Sequence, residues 1–330
     1  MDCGDGDSMG KVDKYQTLIL FMAIPIGLLI GLIPVAEQFA EHFVIPFLFV
    51  MLLGAFMNIP LKDYKKAFAN VKFSITVVIF NFIWTPILVW LLGRAFLSGS
   101  PILQIGFIML MVTPCVDWYL IFTGVAKGNV PLSASILPTN LILQIVLLPF
   151  YLFIFAGASG YMVEIQEVLV SITIMLILPF VFAQLGKRLI HKIRDKGLGD
   201  KVFDIFGALQ VILLSMAVMA MFASKGRSLL ASLNIVAALL IPLVLFYVIT
   251  FVLSQILGKG LKYSYEDSAS LTITTIAKNS PMTLGVALLV FPDEPLIHLI
   301  MIVEPLIELP VMMLITRVLL AIRKSRVKAE

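Results

Sequence analysis

Apolar runs of about 20 residues recur from one end of this chain to the other, each long enough to cross the hydrocarbon core of a bilayer as a helix. They fall near residues 17–33, 43–59, 71–92, 102–126, 132–156, 163–185, 203–223, 229–257, 268–291 and 296–320. A water-soluble fold cannot hide so much apolar surface: 60% of the 330 residues are hydrophobic and 13% charged, with a mean hydropathy of +1.05. The expected fold is an all-α polytopic membrane protein of about ten transmembrane helices. One membrane domain would fill 17–320, between a tail at 1–16 and a basic tail at 321–330. The net charge of +4 says nothing about nucleic acid, since its information lies in where the basic residues sit, and no nucleic-acid partner is expected.

Lys11 and Lys14 precede the first run, which lacks a small-residue cleavage site and reads as a retained span. Cys3 and Cys115 are not expected to meet in a disulfide, and Met9 is an alternative natural start, leaving residues 1–8 as a possible expression remnant. With the N-terminus inside, 19 of the 24 Lys and Arg fall in the tails and cytoplasmic loops, and only Arg94, Lys225 and Arg227 fall outside. That asymmetry predicts both termini cytoplasmic, and the expected location is the plasma (inner) membrane.

The most basic loop, Lys187 to Lys201, divides the chain into two halves of five spans, about 17–156 and 163–320. An odd number per half requires that any repeat be inverted in the membrane. Pro114 and Pro281 are 167 residues apart, as are Pro138 and Pro305, a spacing compatible with such a repeat.

Spans four and nine carry the polar interruptions. Thr113, Pro114, Cys115 and Asp117 interrupt the fourth; Lys278, Asn279, Ser280 and Pro281 interrupt the ninth. Proline removes a ladder hydrogen bond, and freed backbone at membrane depth survives only where protein or a water-filled cavity satisfies it. Matching breaks at Pro114 and Pro281 therefore predict a central binding site. Asp117, Lys278, Glu304 and Glu308 would each cost roughly 2.5–3.5 kcal/mol facing lipid, so they are expected to face the interior. Lys278 and Asp117 are the candidate ion pair; the alternative is that the pair only locks two crossed helices.

The stretches TPC at 113–115, KGN at 127–129 and EPLIELPVMMLI at 304–315 resemble landmarks of the bile acid:sodium symporter superfamily. Within it they are most similar to the ten-span arsenite efflux permeases. The resemblance implies that Cys115 and Glu308 are functional and that Asn279 matches the asparagine of the ninth-span motif. The chain departs from the pattern at Met282, where the motif carries glutamate, and at Val116–Tyr119, and so resembles a divergent branch.

A thiol is the natural soft ligand for trivalent arsenic or antimony, which makes Cys115 the metalloid ligand, with Asn279, Asp117 and Trp118 as further substrate contacts. A buried hydrophobic role is the alternative for Cys115. Glu308, Lys278, Glu304 and Asp117 are the candidates for ion coupling, since a carboxylate alternating between wet and dry settings links proton binding to conformation. For Glu308 the alternative is a structural carboxylate bonded to backbone N–H groups freed around Pro305 and Pro310.

The sodium-coupled branch of the superfamily has a Ser-Asn pair after the fourth-span break, absent here, and Lys278 stands where uncharged ligands are expected. H+ is thus favoured over Na+ as coupling ion, although Thr113, Ser133, Asn140, Gln144 and Asn279 form a possible residual cation site. Asn58, Asn81, Gln104 and Gln210 read as interhelical hydrogen-bonding residues.

No phosphate-cradling loop and no intramembrane catalytic set occur, so neither an ATP-driven pump nor a protease is indicated, and no enzyme activity or cofactor is called for. The expectation is a proton-coupled secondary carrier exporting arsenite or antimonite. The alternative is an ion-coupled symporter of a small organic anion, so the expected partners are a small inorganic or anionic substrate and the lipid bilayer.

Overall fold

A computed structural model describes residues 19, 22–58, 70–116, 118–158, 164–192, 209, 212–225 and 233–327. Asp117, Gln210, Arg227, the N-terminal tail with Cys3, Met9, Lys11 and Lys14, and the centre of the basic loop lie outside them.

The described residues are helical almost throughout. In chain order they form α1 (Met22–Gly31), α2 (Pro34–Asn58), α3 (Val71–Phe96), α4 (Pro101–Met111), α5 (Tyr119–Val125) and α6 (Val130–Ala158). These are followed by α7 (165–192), α8 (Ile212–Lys225), α9 (Leu233–Gly260), α10 (Tyr265–Ile276), α11 (Ser280–Val290) and α12 (Pro295–Val327). Six of them contain stretches long and apolar enough to cross a membrane, within α2, α3, α6, α7, α9 and α12; α1, α4, α8 and α11 are shorter apolar helices. The chain is a multi-pass membrane protein. Large side chains such as Leu29, Val146, Phe153, Leu189 and Ile256 remain exposed, as the lipid-facing shell of such a protein requires.

The helix starts are written locally. Asn70, Ser100, Ser264 and Asn279 each accept a backbone N–H of the following first turn, which satisfies a donor that the helix ladder leaves open. Ser100 and Asn279 precede a proline in the first two helical positions, where its missing N–H is harmless. Short π segments interrupt α3 at Phe80–Trp84 and α7 at Thr173–Ile177.

Two packing arrangements stand out. In α1, Gly27 and Gly31 lie against the backbone of α8: an added Cβ would sit 2.5 Å from Met219 O and 2.5 Å from Ala223 O respectively. Small residues four apart permit that approach. The interrupted helices α4/α5 and α10/α11 lie among α3, α6, α9 and α12, while α11 also packs on α2 and α7.

The KGN stretch ties the ends of the two interrupted spans together. Lys127 adopts a positive φ of 57°. A Cβ on Gly128 would meet Thr123 Cγ2 at 2.9 Å and Ser270 Oγ at 3.1 Å. Asn129 then donates its N–H to Glu266 O at 3.1 Å and its Nδ2 to Asp267 Oδ1 at 2.9 Å. Tyr265 O–H donates to Ala126 O at 2.7 Å.

Gln104 of α4 donates to Leu97 O at the end of α3 at 2.9 Å, a bond between two helices. Asn81 is buried on the π segment of α3, and neither of its side-chain polar atoms has a hydrogen-bond partner.

Candidate functional site

Both interrupted spans break into extended backbone, and the two extended pieces pair. Pro114 faces Lys278 in an isolated antiparallel bridge. Cys115 N–H donates to Ala277 O at 3.0 Å, and Asn279 N–H donates to Thr113 O at 3.0 Å. In an antiparallel pair, the residues between two such bonds turn their own N–H and C=O outward. Pro114 has no N–H to turn outward, so its position in the pair leaves no orphan donor. Lys278 does have one, and Glu308 Oε1 of α12 accepts it at 2.7 Å.

Extended backbone also sorts the side chains onto alternate faces. Lys278 and Pro114 project to one side of the crossing; Thr113, Cys115, Ala277 and Asn279 project to the other.

The first face is charged. Lys278 Nζ donates to Thr275 O at 3.2 Å and sits 4.9 Å from the centroid of the Phe246 ring of α9. Glu304 and Glu308, one turn apart on α12, and the Cys115 thiol are within electrostatic range of the ammonium. Tyr247 O–H donates to Glu304 Oε1 at 2.8 Å. All four of Tyr247, Lys278, Glu304 and Glu308 are buried. Glu308 takes its N–H from the broken ninth span, so its bond is not to backbone freed by Pro305 or Pro310. Asp117, proposed as the partner of Lys278, lies outside the described residues.

The second face carries a thiol and amides. Cys115 is buried and forms no disulfide. Asn279 caps α11 through its Oδ1, which accepts Met282 N–H at 3.2 Å. Its Nδ2 donates to Met282 Sδ at 3.7 Å, and Gln144 Nε2 of α6 donates to the same sulfur at 3.5 Å. Thr113 Oγ1 donates to Leu110 O and shares a 2.7 Å hydrogen bond with Thr283 Oγ1.

The residues considered as a cation site have the following partners. Thr113 is engaged with Thr283, and Ser133 Oγ accepts from Thr274 Oγ1 at 3.4 Å. Asn140 and Gln144 lie one turn apart on α6, with Gln144 meeting Asn279 through Met282. Trp118 is buried in the connection leading into α5.

A family model described as the Sodium Bile acid symporter family matches residues 45–233, a span that includes Pro114 and Cys115. The chain belongs to that family. As a member of the sodium bile acid symporter family it is a transporter and not an enzyme.

Three relatives are similar over most of the sequence. "Uncharacterized transporter slr0944" of Synechocystis is 22% identical, over 95% of this chain and 89% of its own length. "Arsenical-resistance protein Acr3" of Corynebacterium glutamicum is 23% identical, over 76% of this chain and 70% of its own. "Uncharacterized protein YbaS" of Bacillus subtilis is 24% identical, over 64% and 68%.

Sequence reasoning missed four members of the crossing in this family member: Phe246, Tyr247, Met282 as an acceptor, and Thr283. Tyr247 left a usable trace, being a hydroxyl at the centre of the apolar run 229–257. Phe246 left none, because one phenylalanine among 24 carries no sign of a cation beside it.

Proposed function

We propose that this chain is a secondary carrier that exports trivalent arsenic or antimony by alternating access, driven by the proton gradient. The observation that supports the reading is the paired crossing of the two broken spans, which brings a buried thiol to within one residue of the Pro114–Lys278 bridge, with Glu308 bonded to that bridge. Similarity to a protein named for arsenical resistance supports the substrate class. Ten spans in two inverted halves, both termini cytoplasmic and an inner-membrane location belong to the same proposal.

The soft sulfur of Cys115 binds the metalloid centre. The charged face handles the proton. One buried cation and two buried carboxyls are neutral together only when the carboxyls share one proton, and uncompensated charge in a dry site is costly. Opening the crossing to water on one side lets Glu304 and Glu308 exchange that proton, so conformation and protonation change together. Lys278 supplies a permanent or titratable positive charge in place of a coupling cation, which favours H+ over Na+.

Everted membrane vesicles energised to an acid lumen test this directly. Arsenite accumulates in parent vesicles, accumulation collapses with the gradient, and Cys115→Ala reduces it. A Cys115→Ala variant that moves arsenite as well as the parent removes the thiol from the mechanism. A second reading, symport of a small organic anion, is favoured by one feature, the buried Lys278 ammonium as counter-charge. Gradient-driven release of preloaded labelled organic acids from the same vesicles, with no arsenite accumulation, supports that reading instead.

A further inference from the structure

Asn140 and Gln144 are buried in α6, and their side chains are incompletely bonded. Neither Nδ2 nor Oδ1 of Asn140 has a hydrogen-bond partner, nor does Oε1 of Gln144. Buried polar groups are bonded in the great majority of cases, so unbonded ones beside a site call for a ligand or a water. Gln144 adjoins the crossing through Met282 Sδ, the sulfur that also accepts from Asn279.

The unmet atoms also define what would meet them. A carboxamide offers two N–H donors and one carbonyl acceptor. A bare cation satisfies only Asn140 Oδ1 and Gln144 Oε1, and it is repelled by the Nδ2 donors. A carboxylate or other deprotonated oxyanion accepts from Nδ2 but sets its charge against both carbonyls. A hydroxyl group donates and accepts at once, so a neutral molecule bearing several hydroxyls answers all three atoms.

We propose that Asn140 and Gln144 form a hydroxyl-reading pair, selecting a small neutral trihydroxide over monovalent cations and carboxylates. The inference rests on the reading of this crossing as the substrate site, and it adds the charge state of the ligand, which the thiol of Cys115 does not specify. Asn140 and Gln144 act as specificity residues, recognising the hydroxyls while Cys115 meets the central atom. A deprotonated trihydroxide is bound less well, because it loses a donor and gains a charge facing the carbonyls.

The full-length protein in lipid nanodiscs is titrated with arsenite, boric acid, acetate and sodium ion, with potassium as the background cation. Boric acid is a neutral trihydroxide without affinity for a thiol, so it reports on the pair alone. The parent is expected to bind both trihydroxides, and Asn140→Leu and Gln144→Met each to weaken both by about tenfold, the loss of one or two hydrogen bonds. Ligand-free Asn140→Leu should melt above the parent, since it removes an unbonded buried amide; a purely structural amide gives the opposite shift. Asn140→Asp, which keeps the acceptors, should not restore trihydroxide binding.

Undiminished binding of both trihydroxides in Asn140→Leu and Gln144→Met overturns the proposal, as does a parent that binds neither trihydroxide but shows Asn140-dependent binding of sodium or acetate. Asn140-dependent boric acid binding without arsenite export supports the pair while removing the arsenite reading. Intact arsenite export and binding in Asn140→Leu does the reverse.

Discussion

The backbone N–H of Lys278 donates to Glu308 Oε1 across 2.7 Å, so the charged residue of one broken span and the acidic residue of the last helix are joined through main chain as well as charge. Glu308 therefore has a structural bond that any titration of its carboxyl has to work around, and the two roles separate by substitution.

Glu308→Gln keeps a carbonyl oxygen for the Lys278 N–H but cannot release a proton. It should fold and exchange substrate in the absence of a gradient, while gradient-driven accumulation falls to background. Glu308→Ala additionally orphans the N–H, at a cost of about 1–3 kcal/mol. Thermal unfolding in detergent, compared with counterflow and driven uptake, distinguishes them. Driven uptake that persists in Glu308→Gln removes this residue from proton coupling.

Lys278→Met leaves two buried carboxyls without their cation. Losing one partner of a buried charge set costs about 3–5 kcal/mol, and neutralising a carboxyl should return part of it. Lys278→Met should thus melt well below the parent, with Lys278→Met/Glu308→Gln in between. If the double variant is no more stable than the single, the electrostatic link is absent.

Tyr247→Phe deletes the hydroxyl that donates to Glu304 Oε1 at 2.8 Å without changing the ring packing. A small loss of stability, about 1–3 kcal/mol, is expected because a buried acceptor goes unmet. The pH profile of driven uptake should move, whereas a residue that only fills space would leave the profile in place.

Pro114→Ala should lower transport more than stability. Alanine restores an N–H that the bridge turns outward with no paired strand to accept it, and it permits helix to continue through 112–118. Crosslinking between cysteines introduced on α5 and α10 reads whether the crossing keeps its register; an unchanged pattern with full transport contradicts the expectation.

Gly27→Val and Gly31→Val should each destabilise the contact between α1 and α8, since even a Cβ meets backbone oxygen at 2.5 Å. Forcing atoms into a packed interface costs about 1–3 kcal/mol. Melting temperatures read the effect, and a parent-like value at both positions contradicts the close packing described above.

Sequence by itself determined the helical membrane character, because hydrophobic runs and the demand for internal backbone bonding act locally along the chain. The interruption points were legible for the same reason: Pro114 ends a helix, and Asn279 with Pro281 starts one, through bonds spanning only a few residues. Cys115, Lys278, Asn279 and Glu308 stood out by chemical type. Their partnership did not. Which side of the crossing each faces depends on the register of Thr113–Cys115 against Ala277–Asn279, residues more than 160 apart in sequence. A shift of one residue in such a pair would exchange the faces. Tertiary structure alone made that choice, placing Lys278 beside Tyr247, Glu304 and Glu308, and Asn279 beside Met282 and Gln144, because only the packing of α6, α9 and α12 around the crossing fixes its register.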